Sequence, residues 1–402
     1  MRIRTGENPT LKNYTMSFLN TIKQRFGLNY KTLFWLYLIV TIGATIPKII
    51  LGKYNNYLIF VDSFELLKNH QNPFLLHPDL YYDLYRYSPS FAILVAPFSF
   101  LPVSIGVLLW NLINAFALFF AVKYIFKNDE RKGSLIILTI LPELVTSIQN
   151  IQINALVTAI MLFSYACFIF KKEAWAGLLC VLNLFIKIYG FAAVALFFMA
   201  KRKSAFIKSS TLSFIGFIAL PLLFITIPEL AGLYKSEFSS IGAYSVPLSF
   251  MGILRSWFGI TFNDLIIQIP ALLIVCAPIV PGIFKSEEIK LKLQGLLICS
   301  VLTFLCIFNQ MAESATYIVA ITGAVIWYFT APSSKLNTVL LIFLIIFSEF
   351  GPTDLIPRFI RHDFLEPYRI KALPVVLIWV KIQWDSWKII LENKTKSLSE
   401  SL

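Results

Sequence analysis

Apolar runs of about 15–24 residues recur along this chain from residue 33 to residue 384, separated by short stretches rich in Lys and Arg. A helix of about 20 such residues crosses the ~30 Å hydrocarbon layer of a bilayer. One such run can be a buried core helix, but a long series of them cannot be hidden within 402 residues. Composition agrees, with 57% of residues hydrophobic and 14% charged, against ~25% charged in soluble domains. A soluble enzyme, a disordered chain and a secreted disulfide scaffold are excluded. The expectation is an all-α polytopic integral membrane protein of about 12 membrane segments, because an open sheet edge in lipid leaves backbone groups unpaired.

The expected segments are 33–51, 103–126, 134–148, 154–170, 175–186, 188–199, 209–228, 264–284, 293–308, 317–330, 336–350 and 370–386. Alternating them from a cytoplasmic N-terminus puts 23 of the 35 Lys and Arg inside, the positive-inside pattern. The net charge of +13 then reports topology and membrane lipids as partners, not nucleic acid. Both termini are expected in the cytoplasm. The organisation predicted is a tail (1–32), a membrane module (33–208) with a first outer loop (52–102), a second module (209–386) with outer loops at 229–263, 309–316 and 351–369, and a tail (387–402). In the first tail Phe18, Leu19, Ile22 and Phe26 fall on one helical face, reading as an amphipathic helix on the membrane surface.

Cys167, Cys180, Cys276, Cys299 and Cys306 all lie in apolar runs, where they read as small hydrophobes. No pair has metal-ligand spacing, and His70, His77 and His362 are too few for a His-rich site. Neither a metal nor a cofactor is expected.

Residues 175–199 strain a simple alternation, since Lys171-Lys172 and Lys201-Arg202-Lys203 flank them on both sides. Two arms of about 12 residues would rise only ~18 Å each. We therefore read a short broken hairpin turning near Lys187-Ile188-Tyr189-Gly190, against the alternative of one span with a snorkelling lysine. Lys187 is a costly intramembrane charge. It has two readings: an ion pair with Glu143 in another segment, or contact with a substrate phosphate. The turn Gln149-Asn150-Ile151-Gln152-Ile153-Asn154 carries four amide side chains, which either cap backbone groups or meet a hydroxyl-rich ligand as paired donors and acceptors.

In the first outer loop, residues 57–68 form a helical stretch whose Phe60, Val61, Phe64 and Leu67 are expected to lie against the membrane. Asp62 and Glu65 share a side of it. Then come Tyr85-Arg86-Tyr87-Ser88-Pro89, Pro97 and Leu101-Pro102. This order resembles the polyprenol-phosphate-mannose-dependent mannosyltransferases of glycosyltransferase family 87. There an acid in the first outer loop, an amphipathic helix and a Tyr-x-Tyr-Pro-Pro-like element lead into the next span. Ile151-Gln152-Ile153-Asn154 matches the family's Gly-Gln-x-Asn-like turn, and Lys187-Ile188-Tyr189 its Lys-Pro-Tyr/Pro-like break. Ser88 and Ile188 stand where the family often has Pro, and Asn309-Gln310-Met311-Ala312-Glu313-Ser314 where many members have a Trp–His element.

What the resemblance implies is a GT-C fold and an inverting transfer of a hexose, mannose in the members it resembles. The sugar passes from a polyprenyl-phosphate donor to a lipid-linked or glycan hydroxyl, at the outer face of a bacterial inner membrane. Such chemistry needs a carboxylate base for the attacking hydroxyl and donors for the leaving phosphate. Asp62 matches the family's base; Glu65, Asp83 or a structural capping role are the alternatives. Lys187, Arg86, Arg358 and Arg361 are the candidate phosphate contacts. Tyr87, Gln149, Asn150, Gln152, Asn154, Glu313 and His362 complete the expected substrate-binding set. In 351–363 the alternative to phosphate forks is a self-neutralised surface loop. A competing class is a transporter or flippase, which broken hairpins also suit, although no internal repeat relates the two halves.

Overall fold

A computed structural model of the protein describes residues 28–239 and 247–399, so the expected amphipathic tail helix lies outside the described residues. Those described form helices joined by turns and loops, with no strand among them. Helix occupies every apolar segment foreseen from sequence. Among the described residues five helices are long and apolar enough to cross a membrane: Tyr30–Ile50, Val103–Ile125, Lys203–Leu223, Leu265–Gly282 and Glu287–Ile307. Others are shorter, including Asn154–Ile169, Glu173–Ile186 and Ser314–Thr330. Segment 134–148 is broken into Glu130–Thr139 and Leu141–Gln149. Pro142 sits in the first turn of the second helix, where its missing N–H costs nothing but a continuous ladder could not pass.

The centre of the bundle is the helix Tyr317–Thr330. Every residue from Tyr317 to Phe329 is buried, against Glu287–Ile307, Asn154–Ile169 and Glu130–Thr139. Gly323 permits the closest approach, because a Cβ there would lie 2.8 Å from the Leu302 Cβ and 2.9 Å from the Cys299 carbonyl oxygen. At the periphery, Lys203–Ala219 buries only Phe206 and Leu265–Cys276 only Ala271 and Val275. Their exposed Leu212, Ile215, Ile266, Ile269 and Leu273 give the all-round apolar surface a bilayer covers.

The hairpin expected at 175–199 is present. Helix Glu173–Ile186 stops at Lys187, whose backbone is extended, and a 3-10 helix Ile188–Met199 returns beside it. Its ends meet: the Arg202 backbone N–H donates to the Glu173 carboxylate at 3.2 Å. Inside the turn, Asn183 donates to the carbonyls of Val157 (3.0 Å) and Gly190 (3.3 Å). Gly190 is required here, since a Cβ would fall 2.5 Å from the Asn183 Cγ.

The loop helix Asn55–Lys68 differs from expectation in where its apolar face points. Phe60 packs edge-on against Tyr87 and Phe91 and tilts against Trp110, with ring centroids 5.0–5.7 Å apart. Phe64 meets Phe224 at 5.3 Å. That face is therefore covered by protein aromatics rather than lipid. The next segment is clamped to it, with Asn55 accepting from the Tyr82 N–H and donating to the Tyr82 carbonyl.

Candidate functional site

Two breaks in regular structure meet at the tip of the hairpin. One is Lys187, carried at the end of Glu173–Ile186. The other is Asn154, first residue of Asn154–Ile169 and 1% exposed. The Asn154 Oδ1 accepts from the Lys187 ammonium at 2.8 Å and from the Tyr189 hydroxyl at 2.7 Å. Its Nδ2 donates to the Ala315 carbonyl at 3.0 Å. A single amide thus orients the lysine, a tyrosine and the turn that precedes the central helix.

The Tyr85–Pro89 motif is delivered to the same place by Ser88. Its hydroxyl donates to the Phe185 carbonyl at the end of the hairpin helix, and accepts from the Phe91 N–H as N-cap of Pro89–Leu94. Tyr85 closes the turn through its hydroxyl on the Ser88 carbonyl, 2.6 Å. Tyr87 then stands beside Lys187, with ring centroid 5.7 Å from the ammonium and that of Tyr189 at 5.3 Å. Contacts of this kind hold a cation by the ring quadrupole. The charges of Glu313, Asp83 and Arg86 all bear on Tyr87. Glu313 is the carboxylate whose charge also bears on Lys187. It is exposed at the N-terminus of Ser314–Thr316, which it caps reciprocally with Thr316.

The Lys187–Glu143 ion pair is not formed. Glu143 instead receives Lys371, whose Nζ lies 2.9 and 3.0 Å from its two carboxylate oxygens; these residues are 0% and 4% exposed. Among the described residues the Lys187 ammonium makes one hydrogen bond and no ion pair, although an ammonium has three N–H groups. Lys371 is not singled out by the sequence reading. The signal that marked Lys187, a charge within an apolar segment, applies to it equally, since the segment 370–386 begins one residue earlier.

Of the four amides at 149–154, only Asn154 joins this cluster. Gln149 and Asn150 are exposed, Gln152 is partly exposed, and the Asn150 side chain caps its own helix on the Thr146 carbonyl. In residues 351–363 the self-neutralised alternative describes what is found. Arg361 pairs with Asp354 at 2.6 Å, His362 with Glu366 at 2.9 Å, and Arg358 is exposed beside them. The Arg361 pairing holds the Asp354 carboxyl below its usual range. Asp62 lies on its own helix beside Glu65, and its charge is felt by Tyr57 and Tyr81. Burial, then Glu65, pushes its carboxyl up to about 6. Among the described residues no three His, Cys, Asp or Glu side chains cluster closely enough to hold a metal ion.

The profile of glycosyltransferase family 87 matches residues 85–348, more than half of the chain. The chain belongs to glycosyltransferase family 87. It is a membrane glycosyltransferase. The region shared with family 87 begins at Tyr85 and takes in Tyr87, Asn154, Lys187, Tyr189 and Glu313, the residues gathered at the hairpin tip. Asp62 precedes that region, and Lys371 follows it. Among curated proteins, none matches the chain with significance.

Proposed function

We propose that this family 87 protein transfers a hexose, mannose by the resemblance, from a polyprenyl-phosphate donor to a lipid-linked or glycan hydroxyl. Transfer takes place on a GT-C-type scaffold at the outer face of a bacterial inner membrane. The observation that carries the proposal is Lys187: a cation at the break of the hairpin, aimed by Asn154 and walled by Tyr87 and Tyr189. A polyprenyl phosphate brings its anion to such a place while its chain stays in lipid, and two N–H directions of the ammonium remain for phosphate oxygens. Arg86 adds positive charge beside Tyr87. As the C–O bond to phosphate lengthens, these cations stabilise the charge that develops on the leaving oxygen. Asp62 takes the proton of the attacking hydroxyl, and a single displacement inverts the anomeric centre. A carboxyl raised to about 6 is ionised at neutral pH yet more basic than an ordinary aspartate, which suits a general base.

The test is transfer from synthetic radiolabelled polyprenyl-phosphate mannose to extracted membrane glycolipids by protein in lipid nanodiscs. Lys187→Met should abolish transfer and weaken donor binding. A protein that moves a fluorescent lipid-linked sugar across vesicles without forming a new glycosidic bond would favour the transporter reading.

A further inference from the structure

The Lys371 ammonium, with three N–H groups to satisfy, contacts more than Glu143. Its Nζ also lies 2.8 Å from the Ser314 hydroxyl oxygen and 3.2 Å from the Ser314 carbonyl, and 4.9 Å from the Tyr317 ring centroid. Lys371 is itself fixed, since its backbone carbonyl accepts from the Ser348 hydroxyl at 2.7 Å. Ser314 stands between Glu313, whose charge reaches Lys187, and Ala315, whose carbonyl takes the Asn154 amide. The flanks of this turn are held elsewhere: Leu248 donates its N–H to the Ala312 carbonyl, and its carbonyl accepts from the Tyr317 hydroxyl. Its middle is gripped from two sides, by Lys371 on one and Asn154 on the other.

We propose that Lys371 is a positioning residue for the Lys187 site: by pinning Ser314 it fixes where Glu313 and the Asn154 amide stand, and so where the Lys187 ammonium points. Lys371 acts through the turn and touches no substrate. The inference rests on the donor-phosphate reading of Lys187 for its kinetic consequence, but not for its structural one.

The two roles of Lys371 separate in a double variant. Removing either charge alone strands its partner in a dry interior. Lys371→Met with Glu143→Gln removes both, so its melting temperature should return close to that of the parent. Ser314 nonetheless loses its anchor. In nanodiscs the backbone amides of residues 313–317 should then exchange hydrogen about tenfold faster than in the parent, and kcat for transfer from polyprenyl-phosphate mannose should fall about tenfold or more, since small misplacements of this kind are costly. Unchanged exchange in the folded double variant would overturn the proposal, as would loosened amides with undiminished transfer. Should the double variant not fold, Ser314→Ala decides. It keeps the ion pair and removes one anchor, so faster exchange of the same amides together with slower transfer supports the proposal, and parental behaviour in either overturns it. A parent protein without transfer activity would remove the donor reading, while the exchange measurement would still decide whether Lys371 holds the turn.

Discussion

Asp62 and Ser88 show what single side chains do in and after the helix Asn55–Lys68. Burial and Glu65 raise the Asp62 carboxyl to about 6, so the base proposed there is lost on acidification. Transfer should rise as pH passes upward through about 6 and level off above it. Asp62→Asn should lower kcat by ~10²–10⁴-fold and leave donor affinity intact. Linkage gives a second, opposite sign. A carboxyl whose folded pKa lies above its unfolded value stabilises the fold below the unfolded pKa and loses that contribution as pH rises through the folded one. At pH 7.5 Asp62→Asn should therefore melt no lower than the parent, and somewhat higher. Undiminished transfer by that variant would remove Asp62 from the mechanism. Ser88→Ala should cost about 1–2 kcal/mol through the lost N-cap and the lost bond to Phe185, read as a lower melting temperature. Sequence gave Ser88 only as a departure from a Pro-rich motif. Its bond to a residue 97 positions away leaves no local trace. The pairing of Lys371 is hidden in the same way, because its partners Glu143 and Ser314 are 228 and 57 positions away, although its charge within an apolar segment is visible in the sequence.

At the scale of elements the hairpin was legible, since its cause is local: two basic clusters flank a stretch too short for two full crossings, with Gly190 at the turn. What pattern could not supply was the depth of its tip, which stands level with Asn154 because Asn183 bonds Val157 and Lys187 bonds Asn154. Gly190→Ala should cost ~1–3 kcal/mol as the Asn183 side chain is pushed aside, with a lower melting temperature as readout. In a variant without native cysteines, Lys172→Cys and Ser204→Cys should both resist an impermeant reagent added outside intact cells. Labelling of one and not the other would contradict the hairpin in the membrane. The loop helix was legible as a helix but not in its environment. An apolar stripe at Phe60, Val61, Phe64 and Leu67 suits lipid and protein alike, and only the facing rings of Tyr87, Phe91 and Trp110 decide between them.

For the whole molecule, apolar period and length were enough to give an all-helical membrane protein, and motif order gave the family. Which residues face one another depended on how short helices stack around Tyr317–Thr330. Thus of the expected substrate-binding set, Tyr87, Asn154 and Lys187 come into contact, with Arg86 and Glu313 acting on them by charge, while Arg361 and His362 are occupied in a surface network of their own. The proposed mechanism places the anion of a lipid-phosphate sugar at Lys187. Binding of synthetic polyprenyl-phosphate mannose to nanodisc-embedded parent and Lys187→Met proteins of matched melting temperature, measured alongside transfer to glycolipid acceptors, tests that placement. Tight binding and transfer are expected of the parent, with at least tenfold weaker binding and no transfer by the variant. Equal donor affinity and equal transfer in the two proteins would contradict it.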